Sequence, residues 1–334
     1  MNYIGSKNKL NPFILENVQK VVGADLSNKI FCDLFAGTGI VGRNFKKLVK
    51  QVISNDFEYY SYVLNRNYIG NHLPLDKKDY FIKRLNDLSP VKGFIYSNYC
   101  IGEKGSRQYF SDENGKKIDS IRIQIQKWRN EGTIDNATYF FLLASLLESS
   151  DKVANTASVY GAYLKKLKKS AQKDLILEPA DYQLNKNEHL VFNQDSNELI
   201  KTIEGDILYL DPPYNARQYG ANYHLLNTIA LYDEFTPKGK TGLRDYNRSQ
   251  YCSKGTVLSA FDNLIKYSNF KYIFLSYNNE GLMSKKEVQD TMEKYGNYQL
   301  VSKEYQRFKA DKTENRNHKL NKTEEYLHIL EKKF

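Results

Sequence analysis

Residues 30–42 read IFCDLFAGTGIVG and decide the fold class. Ile30 to Phe35 is a short, mostly apolar run, which is typical of a strand buried on both faces of a parallel sheet. The glycines that follow predict a tight turn, and Ile40 to Val49 has helical character. Gln51 to Ser54 then predicts a second strand. This order of elements predicts the βαβ unit of a doubly wound α/β sheet.

Later segments extend the predicted sheet. Ile207 to Leu210 and Tyr272 to Ser276 are two more apolar runs of strand length. Near the end of the chain, Tyr298 to Tyr305 and Glu325 to Leu330 predict an antiparallel hairpin around a polar loop.

The middle of the chain has a different pattern. Helical periodicity occurs at 120–130, 137–149 and 153–169, and a glycine-bearing loop is predicted over 102–115. We therefore expect an α/β sheet domain formed by residues 1–75 and 185–334. A mostly helical insertion at 76–184 interrupts it.

Composition and charge narrow the function classes. Of the 334 residues, 41% are hydrophobic, so a sizeable core can form, and the net charge of +10 favours a polyanionic partner such as nucleic acid. The longest apolar stretch, Tyr139 to Leu147, is too short to cross a bilayer, and the N-terminus has no secretory signal. The three cysteines are far apart and offer no disulfide framework or metal site. We therefore expect a cytoplasmic protein that has no membrane contact and holds no metal.

The glycine motif admits two kinds of ligand. Gly37-x-Gly39-x-x-Gly42 matches the dinucleotide fingerprint, so NAD is one candidate ligand. Asp33 at the strand end favours a cationic ligand instead, because a carboxylate repels a pyrophosphate and attracts a sulfonium. Asp56 follows the second strand and is placed to bind ribose hydroxyls.

The second motif is Asp211-Pro212-Pro213-Tyr214, directly after a predicted strand. Because proline cannot continue a central strand, the chain leaves the sheet at its carboxyl edge, where open α/β sheets bind ligands. The exocyclic amine of adenine is a poor nucleophile, since its lone pair is delocalised into the ring. The Asp211 carboxylate and the Pro212 carbonyl can accept hydrogen bonds from this amine and so localise the lone pair. Tyr214 can stack on a base that has left the helix.

Together these segments resemble the adenine-N6 DNA methyltransferases of the Dam-like group, which have the alpha order of motifs. The resemblance implies a Rossmann-like sheet with a reversed terminal hairpin, S-adenosylmethionine (AdoMet) as cofactor, and a DNA-reading role for the insertion. It extends to Asn2 to Lys7 and to Asn193-Gln194-Asp195. The implied cofactor-binding residues are Tyr3, Lys7, Asp33, Phe35, Gly37, Gly39, Asp56 and Asp195. The implied catalytic residues are Asp211, Pro212 and Tyr214.

Basic residues beside aromatic ones are candidates for DNA contact, because phosphate and base contacts use these side chains. Seven residues in three segments fit this pattern: Arg107, Tyr109, Lys165, Lys166, Arg244, Tyr246 and Arg248. His224 and Trp128 are expected to be structural, and Lys165-Lys166 with Lys168-Lys169 has helical spacing.

The sequence thus predicts a site-specific enzyme that transfers a methyl group from AdoMet to adenine N6 in duplex DNA after the base has flipped out. No obligate protein partner is evident, and a cognate restriction endonuclease is the partner that the resemblance suggests. Three alternatives stay open: an RNA base-amine methyltransferase, an NAD-dependent oxidoreductase, and a catalytically inactive DNA-binding regulator.

Overall fold

A computed structural model describes residues 7–102, 107–306 and 322–334 of the chain. Its strands are β1 (Ile30–Asp33), β2 (Gln51–Asn55), β3 (Leu190–Phe192), β4 (Glu204–Leu210), β5 (Asn269–Asn278), β6 (Gly296–Gln306) and β7 (Lys322–Lys332). Its α-helices are α1 (Asn11–Val22), α2 (Ile40–Phe45), α3 (Tyr59–Asn65), α4 (Lys78–Asn86), α5 (Phe94–Tyr99), α6 (Asp112–Asn130), α7 (Asn136–Val153), α8 (Ser196–Leu199), α9 (Tyr219–Asn222), α10 (His224–Leu231), α11 (Val257–Tyr267) and α12 (Lys285–Glu293). A π-helical turn covers Arg66–Gly70, and short 3₁₀ turns cover Lys169–Gln172 and Gln250–Cys252.

The strands form one sheet in the order β3-β2-β1-β4-β5-β7-β6. β1 to β5 run parallel, and β7 is inserted antiparallel between β5 and β6. The predicted α/β class and the reversed terminal hairpin are therefore confirmed. β3 was not predicted from the sequence, because three partly exposed residues carry almost no periodic signal.

The strand order reverses beside β1, which is flanked by β2 on one side and by β4 on the other. Cys32 pairs with Ile53 of β2 and with Leu208 of β4. In an open parallel sheet, such a reversal opens a crevice at the carboxyl ends of the strands. The segments that follow β1, β2, β3 and β4 carry the motif residues, so all of them meet at this edge.

The core beside the sheet is built from strands β4 and β5 and helices α11 and α12. Leu208, Ile273, Phe261 and Met292 are fully buried in one apolar cluster. Burying a side chain of this size contributes about 1.5–3 kcal/mol to folding. A well-packed core therefore holds the carboxyl ends of the strands in place.

The chain divides into two compact units. The described residues of the sheet unit belong to Ser6–Phe57, Asn187–Gln218 and Asn247–Phe334. The described residues of the helical unit belong to Glu58–Lys186 and Tyr219–Tyr246. Residues 58–75 and 219–246 thus fall in the same unit as the predicted insertion at 76–184. In the described parts of the chain, no helix is both long enough and apolar enough to cross a membrane.

Local caps explain where the two long helices of the helical unit begin. Ser111 accepts a hydrogen bond from the Asn114 amide before α6, and Asp135 accepts one from Thr138 before α7. The helices predicted at 120–130 and 137–149 are confirmed. The loop predicted over 102–115 is wrong in its last part, because the Ser111 cap starts α6 at Asp112.

The helix predicted over 153–169 is wrong. α7 ends at Val153, and residues 154–168 form a loop. The buried Asn155 closes this loop, donating through Nδ2 to the Leu164 carbonyl and accepting the Lys168 amide at Oδ1. Asparagine side chains of this kind compete with helical backbone pairing. The four lysines at 165–169 therefore do not share a helix face.

Candidate active site

The turn after β1 is shaped by its glycines and by a buried carboxylate. Gly37 and Gly39 have φ of 54° and 74°, in the left-handed region that side chains disfavour. Asp33, the last residue of β1, is buried, and its Oδ2 accepts the Gly42 amide of α2 at 3.1 Å. The turn is therefore compact and brings backbone amides close to the sheet edge.

The segment after β2 is tied to this turn. Asp56 accepts the Gly37 amide at 2.7 Å, and its own carbonyl accepts Asn193 Nδ2 at 2.7 Å. The buried Asn55 donates to the carbonyls of Leu34 and Gln194, both at 3.2 Å. Asn55 thus joins the ends of β1, β2 and β3. The sequence motifs predict no separate role for Asn55, although a polar residue that ends an apolar strand is a recognisable signal.

Asp195 begins a helix as well as ending the Asn193-Gln194-Asp195 segment. Its carboxylate accepts the amides of Asn197 and Glu198 at 2.8 and 3.3 Å and caps α8. The structure therefore brings Asp33, Asp56 and Asp195 to the ends of three neighbouring strands.

The second motif lies where β4 ends. The Lys7 ammonium is 3.0 Å from Asp211 Oδ1 and 3.1 Å from Glu325 Oε1. Ser276 of β5 donates to the same Glu325 oxygen at 2.7 Å. The Lys7 and Glu325 side chains are each 8% exposed, and Asp211 is 20% exposed. One lysine is thus shared by two carboxylates at the carboxyl edge of the sheet.

Glu325 is a site residue that the sequence motifs do not predict. The sequence predicts only that it lies in a terminal strand. Because β7 runs antiparallel to β5, its first residues meet the carboxyl edge that the last residues of β4 form. The usable signal was an acidic residue near the start of an otherwise apolar strand that the resemblance predicts to be reversed.

Two carboxyl groups of this edge, those of Asp33 and Asp211, have raised pKa values. Burial raises the pKa of Asp33 to about 8, and the charges of Asp211 and Asp56 add to this rise. Burial also raises the pKa of Asp211 to about 6, against the lowering effect of Lys7. Burial lowers the pKa of Lys7, but its two carboxylate partners outweigh this and raise the pKa well above the ordinary value. The crowding of negative charge around Asp33 fits a ligand that carries a positive charge.

The aromatic residues of the motifs differ in surroundings. Tyr214 is half-buried beside the core, its carbonyl accepts the Leu282 amide at 3.0 Å, and burial raises the pKa of its phenol. Pro212 is buried. Phe35 is half-buried and meets the Tyr251 ring edge-on at 4.9 Å. Tyr3 lies outside the described residues.

In the helical unit, two of the predicted DNA contacts are engaged inside the protein. Arg107 donates to the carbonyls of Asn98 and Gly239 at 3.0 Å and of Lys240 at 3.3 Å. Tyr109 is fully buried and its hydroxyl donates to the Tyr160 carbonyl at 2.7 Å. Burial argues against a direct contact between Tyr109 and DNA, whereas Arg107 holds the 238–243 turn.

The other candidates range from paired to exposed. Arg244 makes a bidentate ion pair with Asp233, both contacts at 2.8 Å, and Tyr246 is half-buried. Lys165, Lys166 and Arg248 are exposed. The two residues that are expected to be structural make contacts inside the protein. His224 is buried with Nε2 3.0 Å from the Tyr160 carbonyl, and Trp128 packs edge-on against Phe81.

Comparison with known proteins gives one family. Residues 3–292 match the model of the D12 class of N6 adenine-specific DNA methyltransferases. The chain is 66% identical, over the full length of both proteins, to the type II methyltransferase M.NlaIII of Neisseria lactamica. It is 40% identical to M.CviAII of Paramecium bursaria Chlorella virus 1, over 93% of each chain. It is 39% identical to M.FokI of Planomicrobium okeanokoites, over 93% of this chain and 50% of that relative.

Proposed function

Because the chain belongs to the D12 class of N6 adenine-specific DNA methyltransferases, we propose that AdoMet and the target adenine meet at the carboxyl edge of its sheet, beside Asp33 and Asp211. The enzyme methylates adenine N6 in DNA in a site-specific manner. The expected DNA methyltransferase activity is confirmed, and neither the RNA nor the NAD-dependent alternative gains support. The observation that carries the proposal is a pair of acidic residues at the ends of adjacent strands: Asp33 is the last residue of β1, and Asp211 directly follows β4.

The residues around Asp33 fit the cofactor. The class uses AdoMet in general, and AdoMet supplies a methyl group on a positively charged sulfur. A buried carboxyl surrounded by other carboxylates stabilises such a charge, and the left-handed glycines let a ligand approach the backbone. We assign cofactor binding to Lys7, Asp33, Phe35, Gly37, Gly39, Asp56 and Asp195, and to Tyr3 by resemblance.

Asp211, Pro212 and Tyr214 are assigned to the target base. The Asp211 carboxylate and the Pro212 carbonyl accept the two N–H bonds of the adenine amine, so that the N6 lone pair points at the methyl group. N6 forms the new N–C bond as the C–S bond breaks, and it then carries one proton too many. Asp211, whose carboxylate accepts one of these N–H bonds, can take this proton. Tyr214 stacks on the flipped base, a contact worth about 1–3 kcal/mol.

DNA contacts away from the carboxyl edge of the sheet are assigned by exposure. The exposed Lys165, Lys166 and Arg248 are suited to phosphates, and Tyr246 to a sugar or base. Arg107 and Arg244 are assigned a positioning role, because their guanidinium groups are already bonded within the protein. The similarity to type II methyltransferases further suggests a restriction endonuclease with the same recognition site as partner.

The deciding experiment uses labelled AdoMet, unmethylated genomic DNA and nucleoside analysis. Label in N6-methyladenine is expected with the wild type, and sequencing of the modified positions gives the site. Asp211→Ala should lose transfer by several orders of magnitude yet bind AdoMet nearly as well, since one oriented acceptor contributes several kcal/mol to the transition state. If Asp211→Ala lost cofactor affinity instead, the assignment of Asp211 to the base would be wrong.

A further inference from the structure

Glu325 is the feature of the site that the proposed chemistry does not use. It lies near the start of β7 with its side chain almost fully buried. Burying a carboxylate is costly unless it is paired and hydrogen-bonded. Both conditions are met, by Lys7 at 3.1 Å and by the Ser276 hydroxyl at 2.7 Å.

The register explains why this acid reaches the site. Ser276 of β5 is paired with Leu327 of β7, so Glu325 is its diagonal neighbour on the same face of the sheet. Glu324, one residue earlier, belongs to the opposite face, and it accepts a hydrogen bond from the Tyr326 hydroxyl at 3.0 Å. The strand alternation therefore commits Glu325, and not Glu324, to the Lys7 ammonium.

Resting on the proposed role of Asp211, we propose that Glu325 is a positioning residue that shares the Lys7 ammonium with Asp211 and so keeps the Asp211 carboxylate available to the adenine amine. With Asp211 alone as its partner, a buried ammonium would compete with the amine for the same oxygens. Because Ser276 holds Glu325 in position, the Lys7 ammonium keeps a buried carboxylate partner when the substrate amine binds to Asp211.

The charge balance around Asp211 gives this role a distinct signature. Asp211 interacts electrostatically with titratable groups from several elements, namely Lys7, Asp33, Tyr209, Tyr214 and Glu325. After burial, which raises the pKa of Asp211, Lys7 lowers that pKa and Glu325 raises it. Neutralising Glu325 should therefore lower the pKa of Asp211, and neutralising Lys7 should raise it.

The test is the pH dependence of single-turnover methylation of duplex DNA by Glu325→Gln. We expect the rate to fall roughly tenfold to a hundredfold, less than the loss in Asp211→Asn because the catalytic carboxylate itself is retained. We also expect the acidic limb of the pH profile to move to lower pH. In Lys7→Met the acidic limb should move to higher pH. A purely structural defect would lower both rates without moving the two limbs in opposite directions.

Matched variants complete the test. Glu324→Gln makes the same chemical change one residue away and should leave rate and pH profile unchanged. Glu325→Asp keeps the charge and should keep the acidic limb near that of the wild type. AdoMet binding by calorimetry and the thermal midpoint report whether each variant is folded. If Glu325→Gln does not fold, Ser276→Ala removes the anchoring hydroxyl and should slow transfer a few-fold.

The two assignments fail in different ways. An active Asp211→Asn would overturn the proposed role of Asp211. An inactive Asp211→Asn together with a Glu325→Gln enzyme of unchanged rate and unchanged acidic limb would overturn only the role of Glu325. A folded Glu325→Gln enzyme that is slow but has an unshifted acidic limb would also overturn the proposed role of Glu325. Its role would then be structural only.

Discussion

At the scale of single residues, the main feature of the candidate site is that it has more carboxyl groups than positive charges. Asp33, Asp211 and Glu325 are buried or nearly so, and Lys7 is the cation that the described geometry puts between two of them. Such an arrangement is unfavourable by itself, because buried like charges repel. A cationic ligand relieves this repulsion, which supports the proposal that AdoMet binds at this edge of the sheet.

The raised pKa of Asp33 makes cofactor binding a proton-linked event. With a pKa of about 8, the carboxyl is mostly protonated at pH 7 in the free enzyme. A positive charge nearby favours the carboxylate, so binding of AdoMet should release up to about one proton and should tighten as the pH rises from 6 to 8. Calorimetry at pH 7 in buffers of different ionisation enthalpy measures this release directly.

Asp33→Asn is the control for proton release, since it keeps the shape of the side chain and cannot titrate. Its binding enthalpy should no longer depend on the buffer. A wild-type enthalpy that is equally independent of the buffer would show that Asp33 does not change its protonation state when AdoMet binds, and the proposed proton release would be wrong.

At the scale of elements, the helical unit is organised by side chains that bond backbone carbonyls. Arg107 holds the 238–243 turn by two carbonyls, and Asn155 Nδ2 joins its loop to the Gln108 carbonyl. Residues 107–109 thus support two loops that carry exposed lysines. Preordered loops lose less entropy on binding than mobile loops do. This favours binding of these loops to a regular ligand such as duplex DNA.

The 155–168 loop supplies a prediction about salt dependence. Replacing Lys165 and Lys166 together by Gln should weaken DNA binding and lower the slope of log K against log salt by about 2, because two phosphate contacts are lost. Fluorescence anisotropy at several salt concentrations measures the slope.

Lys83→Gln with Arg84→Gln is the matched control for the lysine pair, since these two exposed cations of α4 lie in the same unit and carry the same net charge. An equal effect of both double variants would indicate net charge alone, and the loop would then have no specific contact.

At the scale of the whole molecule, each unit contains a histidine that must stay neutral. Burial lowers the pKa of His224 in the helical unit and of His328 in the sheet unit to about 4, against an ordinary value of 6.5. Since the unfolded chain binds the proton more tightly, each histidine costs stability as the pH falls from 6.5 towards 4. Asp33 has the opposite effect, because its raised pKa favours the folded state as the pH falls from 8.

The two effects are separated by comparing variants. His328→Gln should be less stable than the wild type at pH 7, and the gap in the free energy of unfolding should narrow by about 2 kcal/mol at pH 5. Urea unfolding at both pH values measures the gap. A constant gap would show that His328 has an ordinary pKa in the folded protein.

The strand ends and the two motifs could be predicted from the sequence because they depend on local constraints. Glycines at left-handed φ end β1, and Pro212-Pro213 ends β4, whatever surrounds them. The sequence therefore determined the sheet class and the family, and it is the basis for proposing the carboxyl edge as the site. It also determined Asp33, Asp56 and Asp211 as strand-end acids.

Only the tertiary structure decided which partners the charged side chains find. Glu325 reaches Lys7 because β7 is inserted in reverse between β5 and β6. Arg107 donates hydrogen bonds to carbonyls of a turn that is distant in the sequence. Asn155 turned a lysine-rich segment with helical spacing into a closed loop. Such contacts join residues distant in sequence, and their free energies depend on strand order, direction and burial, which no local pattern encodes.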